Sequence, residues 1–581
     1  MNYPWINPSH QMSRSAYKQR SKPKKRPNIH FSTLNSAVAE RPPLSFGRTR
    51  ARHRDNSFSD RLVNDRSEVQ SFKLFGQSVA ILVAISLLIF MSVATWKGAT
   101  MTGSFGLEIF SMTLVTVILF ILSYLSASYI SVRNKSFVYL VIVLLLIALI
   151  KVFIILTYNI GPTSDYFNYH YFAYAKASGI PWTKHMIGTN MFFPHVLNIA
   201  MMYSIPYSLI GTNYVTSQIL NIAITMFDGL LIYKLSASMI NKQAGIFSAL
   251  IFSLIPSYFM YSLINGAEPM YITFLLGICI SFDTFLKRDA HDTNAKWVAS
   301  FLSLAVLVIL AYMVRPTIGI WVVAGFIYII FMRTNEQYTY KFKLTRYFFF
   351  AAFALVFITF SVLSPKIYSA VYGIPIASSS SMNRYSLATG TSPETNGAYN
   401  KHIYDIMNKN YKEFPEQAKM DSMTNKDLNK RIDSNINELN GQNKWGIFLD
   451  QKYTQFSNED YGYNWILYNT AKSNHHEGSF YSMKKSLVAL SAIFYEFIVI
   501  LCIFTMSFIL LFAPRIPDSI NTVNKLFYFS LLLDGFIIGS MIFEVQGRYH
   551  TVLYIPLVLI LGLGVKLLTE RNRKFQITLT I

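Results

Sequence analysis

Apolar runs constrain this chain more than any other feature. Twelve of them, at about residues 76–96, 105–128, 136–157, 213–236, 243–263, 268–286, 297–313, 317–333, 345–365, 485–513, 523–543 and 548–568, approach or exceed the roughly 20 residues a helix needs to cross about 30 Å of hydrocarbon. A segment in lipid must satisfy its own backbone hydrogen bonds, which a helix does within one stretch of chain. With 52% hydrophobic, 15% aromatic and 14% charged residues, the chain reads as an all-α polytopic membrane protein with about 12 transmembrane helices.

Basic residues orient these helices, because Lys and Arg beside a span stay cytoplasmic. Much of the net charge of +22 sits ahead of the first span, where residues 1–73 hold fifteen Lys or Arg against five acids. Scattered Pro and Ser with no amphipathic period predict a disordered basic cytoplasmic tail there. Membrane lipids with anionic headgroups are its natural partners, and no nucleic acid is expected. The first apolar run lies too far in for a cleavable signal peptide. With the tail inside, the cytoplasmic side also receives Arg133 and Lys135, Lys234 and Lys242, Lys287 with Arg288 and Lys296, Arg333 with Lys341, Lys343 and Arg346, Arg515 with Lys525, and Arg571, Arg573 and Lys574. Both termini are then cytoplasmic in a multi-pass protein of the cell membrane.

The run 191–210 is apolar enough to suggest a further span, but counting it would put every later basic connector outside. Pro194, His195, Asn198 and Pro206 also interrupt it. It is expected as a juxtamembrane or re-entrant helix in a first outer loop at 158–212. Four regions result: the tail at 1–73, an N-terminal membrane domain at 74–365 that includes this loop, a large extracytoplasmic loop or cap at 366–484, and C-terminal membrane helices with a short cytoplasmic tail at 485–581. The cap region is too long for a mere connector, and residues 401–440 are its best source of helix. Cys279 and Cys502 both fall in apolar runs, which leaves no disulfide framework or Cys-based zinc site. No solenoid repeat, phosphate loop, zincin or triad spacing stands out.

Polar residues collect on the outer side. Asp165 lies in Gly161-Pro162-Thr163-Ser164-Asp165-Tyr166-Phe167-Asn168-Tyr169, directly after the run 136–157; an ionisable residue at the lip of a membrane helix is a site candidate by default. Glu268 follows Asn265-Gly266-Ala267 at an outer helix start, Arg315 occupies the outer turn before Pro316, and Gln546-Gly547-Arg548-Tyr549-His550, preceded by Glu544, opens the last span. The set suits transfer to a hydroxyl. Asp165 can accept the proton of the attacking group, and Arg315 and Arg548 can hold a phosphate leaving group through forked, charge-assisted bonds. Preorganised cations stabilise the charge that develops there. Tyr166 and Tyr169 offer flat faces to a sugar ring, and Tyr549 and His550 complete the substrate-binding set.

Each residue also has a structural reading. Ser164-Asp165 can cap a helix, Glu268 can be a first-turn acid ahead of Pro269, and the arginines can snorkel. The aromatics fit an interfacial belt, and no spacing among His170, His185, His195, His475 and His476 resembles a metal site.

The order of these features resembles the GT-C superfamily of membrane glycosyltransferases, in the branch of protein O-mannosyltransferases and lipid A aminoarabinose transferases. The resemblance rests on Ser164-Asp165-Tyr166-Phe167-Asn168-Tyr169, on the Ile255-Pro256-Ser257 helix leading to Glu268, and on the Arg315-Pro316 turn. It also rests on Leu387-Ala388-Thr389-Gly390 through Asn396-Gly397-Ala398-Tyr399-Asn400 and Asp405, and on Gln546 to His550 ahead of Pro556. It covers roughly residues 76–568. It implies a polyprenyl-phosphate-linked sugar as donor, inversion at the anomeric carbon, Asp165 as general base, Arg548 with Arg315 on the donor phosphate, and Glu268 positioning substrate. The acceptor would be a cell-envelope protein, glycopolymer or lipid, and the active site extracytoplasmic. Many relatives carry adjacent acids in the first loop, whereas Tyr166 follows Asp165 here, so a second acid has to come from Glu268 or the large loop. No metal ligand is assigned, and a divalent metal stays open as a cofactor. Two other functions suit the layout: a transporter or flippase of a lipid-linked saccharide built on the within-span acids Asp228, Glu496 and Asp534, and a polysaccharide polymerase or ligase relying on arginines and a His in its large loop.

Overall fold

A computed structural model describes residues 55–580 except 102–105, 163, 289–291, 335–339, 442, 459–465, 467–481 and 517. Most of the basic tail, at 1–54, therefore lies outside the described residues, as do His475 and His476. Among the described residues the secondary structure is helical throughout, with no strand. In chain order the helices are α1 (Asp55–Met101), α2 (Leu107–Ser131), α3 (Ser136–Thr157), α4 (Ser164–Ala177), α5 (Lys184–Ile187), α6 (Pro194–Ile210), α7 (Tyr214–Met239), α8 (Lys242–Leu254), α9 (Pro256–Tyr261) and α10 (Ala267–Leu286). They continue as α11 (Asn294–Val314), α12 (Gly319–Phe331), α13 (Tyr340–Tyr372), α14 (Ser379–Gly390), α15 (Lys401–Glu413), α16 (Gln417–Gly441), α17 (Trp445–Asn458), α18 (Lys484–Phe512), α19 (Ser519–Ile542) and α20 (Tyr554–Thr580). Helix α1 starts at Asp55, so residues 55–73, expected as part of the disordered tail, are helical.

Ten helices among the described residues are long and apolar enough to cross a membrane, and they coincide with ten of the twelve expected runs. The other two runs form shorter apolar helices, and proline is the reason. Pro256 lacks the N–H that would bond back one turn and disfavours the helical region for Ile255. Ile255 accordingly adopts ψ 116°, and the run 243–263 divides into α8 and the short α9. Pro316 likewise starts a 3-10 turn behind an extended Arg315, which shortens α12. The run 191–210 forms α6, a 17-residue helix with Pro194 at its start and Pro206 inside. It packs on α4 and α11 and is not among the ten.

Burial grades the bundle. The most apolar window of the last span is 83% buried, whereas those of the second and of Leu344–Tyr372 are 17% buried. Small residues let helices approach where lipid gives no hydrophobic drive to association: a Cβ on Gly562 would lie 2.8 Å from Ser248 Oγ. Of the within-span acids, Asp228 is fully buried and accepts hydrogen bonds from Tyr258 and, at 2.5 Å, from Thr273. Glu496 accepts one from Ser92. Lys151, also buried, donates to Thr225 at 3.1 Å beside the Phe259 ring.

Helices α14 to α17 make the cap. Residues 401–440 become α15 and α16, as expected, with Asn400 capping α15 by accepting from the His402 and Ile403 amides at 2.8 and 3.3 Å. The cap is fixed to the membrane helices by main-chain bonds from Glu544 to the Ser386 carbonyl and from Val545 to the Gly397 carbonyl, both 2.9 Å, and from Ala377 to the Met191 carbonyl at 3.0 Å. Lys184 and Tyr411 tie the first connector to it, donating to the Pro415 and Lys184 carbonyls at 3.0 and 2.9 Å.

Candidate active site

Four connectors that are far apart in sequence meet at one end of the bundle, under the cap. The first brings Asp165, in the first turn of α4. The second brings Glu268, in the first turn of α10 after the break at Pro256. The third brings Arg315, between α11 and α12, and the fourth Arg548, in the 3-10 turn Gly547–Leu553 ahead of α20. Arg548 Nη2 donates to Asp165 Oδ2 at 2.8 Å, and its Nε donates to Gln546 Oε1 at 2.7 Å while lying 4.0 Å from Glu268 Oε1. Arg315 donates from Nη2 to the same Glu268 oxygen. Gln546 in turn donates to Glu544 at 2.6 Å. The Tyr549 ring lies against both guanidinium groups, 5.1 Å from Arg315 and 5.8 Å from Arg548, in range for cation–π attraction.

Local sequence explains this placement. Ser164 holds a left-handed φ of 51°, uncommon for a residue with a Cβ. Strain of that kind collects at functional sites, and here it starts α4 so that Asp165 faces the arginines. Gly266 is needed for close approach: a Cβ there would sit 2.5 Å from Glu268 Oε2 and 3.2 Å from the Tyr166 ring. Prolines at 256 and 316 end helices early and free the connectors to reach the centre.

The electrostatics are those of two acids interleaved with two arginines. Glu268 is 1% exposed and the Arg548 side chain 10%, so both are cut off from water, whereas the Asp165 side chain keeps 41% of its surface open. Burial alone would raise the Asp165 carboxyl, but Arg548, with a smaller contribution from Arg315, outweighs it and holds the carboxyl below its usual value. Glu544 goes the other way, pushed up mainly by burial. His195, near Asp165 and both arginines, is driven down to about 4 by burial. It is therefore neutral at physiological pH and adds no charge to the cluster.

Asp165, Glu268, Arg315, Arg548 and Tyr549 are thus brought together. Tyr166 and Tyr169 lie beside them but buried, edge to face with each other at 6.1 Å. His550 faces elsewhere, bonded through its two ring nitrogens to the Phe456 carbonyl at 3.1 Å and the Tyr554 hydroxyl at 2.8 Å. Its partners tie the last span to the cap, and none belongs to the acid–arginine cluster. Asp405 is exposed on α15. Three neighbours received no role from the sequence: His195, which reads as one of several structural histidines; Gln546, a bridge between Arg548 and Glu544; and Lys452, which donates to the Gly390 carbonyl at 2.5 Å beneath the Gly397 turn. Only the Gln546 position, two residues before Arg548, carries a local signal. Among the described residues no three His, Cys, Asp or Glu side chains lie close enough to hold a metal ion, and each acid of the pair is already engaged by an arginine. The cluster as it stands does not fit a divalent cation.

Residues 195–364 match the model of a family described as dolichyl-phosphate-mannose-protein mannosyltransferase. The matched stretch contains His195, Glu268 and Arg315 and leaves Asp165 and Arg548 outside it. No curated protein and no solved structure matches the chain. Carried on an all-helical, multi-pass membrane fold, the family match supports a membrane glycosyltransferase of the GT-C superfamily.

Proposed function

We propose that the protein transfers a sugar from a polyprenyl-phosphate-linked donor to a hydroxyl of a cell-envelope acceptor (a protein, glycopolymer or lipid) on the extracytoplasmic face. The observation that carries this reading is Arg548. It joins the one solvent-reachable carboxylate of the cluster, Asp165, to the buried Glu268–Arg315 pair, so that a base and two phosphate-binding cations share one site. The basic residues of the connectors support the orientation, since Lys and Arg beside a span stay cytoplasmic.

In this reading the acceptor oxygen bonds to the anomeric carbon as the bond from that carbon to the phosphate oxygen breaks, with inversion. The hydroxyl proton passes to the Asp165 carboxylate. The departing polyprenyl phosphate gains a negative charge, which Arg548 and Arg315 stabilise without reorganising. Glu268 holds the two guanidinium groups side by side against their mutual repulsion. Before donor binds, Arg548 is committed to Asp165 and weakens it as a base. A donor phosphate that draws off part of the guanidinium returns basicity to Asp165, which ties proton uptake to the presence of the donor.

The test is transfer of labelled sugar from a polyprenyl-phosphate donor into envelope fractions by membranes containing the protein or its Asp165→Asn variant. Asn is nearly isosteric at a half-open position, so insertion and folding should be unchanged and transfer abolished. Transfer at the normal rate by that variant would end the assignment of Asp165 as base.

A further inference from the structure

Helix α7 contributes none of the groups assigned above, yet it carries a polar stripe in the middle of a membrane bundle. Tyr214, Gln218, Asn221, Thr225 and Asp228 recur at steps of four and three residues, the spacing of one helix face. That face lies along the break between α8 and α10. A broken helix in hydrocarbon frees carbonyls that water cannot reach, and each needs another donor. The stripe supplies them. Gln218 donates to the Leu263 carbonyl at 2.7 Å, and Asn221 donates to the Ile264 and Gly266 carbonyls at 2.6 and 3.2 Å. Tyr203 from α6 donates to Asn221 Oδ1 at 2.8 Å, which fixes the amide orientation. Tyr214 donates to Asn265 Oδ1 at 3.0 Å, and Asn265 passes the link on, donating to the Tyr166 carbonyl at 2.9 Å. At the lower end Asp228 accepts from Tyr258 on α9 and Thr273 on α10, one residue on each side of the connector 262–266.

We infer that Asn221 is a positioning residue of the active site. Its amide holds the two carbonyls just before Glu268 and, through Asn265, the residue just after Asp165, so one buried side chain sets the spacing of both acids. Asn221 is 0% and Gln218 1% exposed, so neither touches substrate. The structural part of this inference stands on these contacts, and only its catalytic consequence rests on the proposed sugar transfer.

The experiment uses full-length protein in nanodiscs. Asn221→Asp keeps the shape and the acceptor for Tyr203 but loses at least one of the two bonds to the Ile264 and Gly266 carbonyls, since a buried carboxyl has at most one O–H to donate. Hydrogen exchange of a peptide spanning 258–270 should speed up at least several-fold, with the remainder of α10 unchanged. Sugar transfer should fall by about ten- to a hundred-fold, the scale at which a misplacement of order 1 Å acts. Combined with Glu268→Asp, the losses should not multiply, because both changes act through one carboxylate. Gln218→Met, which removes the bonds to the Leu263 carbonyl and, at 3.5 Å, the Ile160 carbonyl, leaves Asn221 in place, so it should give the same pattern in weaker form and serves if Asn221→Asp does not fold. Unchanged exchange in a folded variant, or losses that multiply with Glu268→Asp, would overturn the inference. A wild-type protein that transfers nothing from a polyprenyl-phosphate donor would refute the proposed reaction instead, and exchange would still decide whether Asn221 holds the break.

Discussion

Replacing Arg548 by Lys separates charge from geometry at the centre of the site. Arg548 spends Nη2 on Asp165 at 2.8 Å and Nε on Gln546 at 2.7 Å, with Glu268 at 4.0 Å. A lysine carries the same charge on one nitrogen, and its three N–H groups diverge from that single point, so it cannot reproduce the spaced, planar donors with which the guanidinium reaches Asp165 and a phosphate together. Hydrogen bonds to charged groups contribute about 1.5–3 kcal/mol each. Losing one that is made to the donor phosphate should therefore lower kcat/KM for the donor by about ten- to a hundred-fold. The acceptor has no contact with Arg548 in the proposed arrangement, so its apparent affinity should stay within about two-fold. The assay titrates donor and acceptor separately in proteoliposomes. Arg548→Gln adds a pH signature. In the proposed reaction Asp165 acts as a base above its pKa, and activity is lost as pH falls through that pKa. Arg548 holds the value down, so removing its charge lets burial raise it, and the acid limb of the pH–rate profile moves to higher pH. An unchanged donor saturation curve for Arg548→Lys, or an acid limb that stays in place for Arg548→Gln, would refute the phosphate and base assignments together.

The other predictions concern the scaffold. Asp228→Asn should destabilise the membrane domain by about 1–3 kcal/mol in thermal unfolding, because the amide turns a donor toward one of the Tyr258 and Thr273 hydroxyls that the carboxylate accepts from. A Cβ at Gly390 would lie 2.6 Å from the Phe543 carbonyl oxygen, whereas one at Gly446 meets nothing within 4 Å. Gly390→Ala should then cost about 1–3 kcal/mol, while Gly446→Ala, inside α17, should be neutral or stabilising by up to about 1 kcal/mol. Buried Lys452 is pushed down from 10.5 to about 7 by desolvation. Between those values the unfolded chain binds the extra proton, so cap stability should rise with pH from about 7 to 10.5. Melting of the cap followed across that range should show the slope, and Lys452→Met should flatten it.

The sequence by itself determined what is local or one-dimensional. Hydropathy placed ten membrane-length helices, because a span must satisfy its own backbone and so is coded within one stretch of chain, but it also read the shorter helices at 242–254 and 316–331 as spans. Interruptions by Pro194, His195, Asn198 and Pro206, together with the charge map, kept α6 out of the spans, and turn and polar composition marked 401–440 as the helical part of the cap. Residue types at connector positions singled out Asp165, Glu268, Arg315 and Arg548. Pairing was beyond its reach. That Arg548 meets Asp165, 383 positions away, and that Arg315 takes Glu268, depends on which connectors the bundle brings to one point. Side-chain direction was equally hidden: Tyr549 turns to the arginines and its neighbour His550 turns away, because a 3-10 turn sends adjacent residues to different sides. Asp228 reads in the sequence as an isolated membrane acid suited to transport, and it gains its partners only when α7 lies along α9 and α10. Tertiary structure decided these points because each is a contact between helices, and the strength of a buried polar group lies in what faces it.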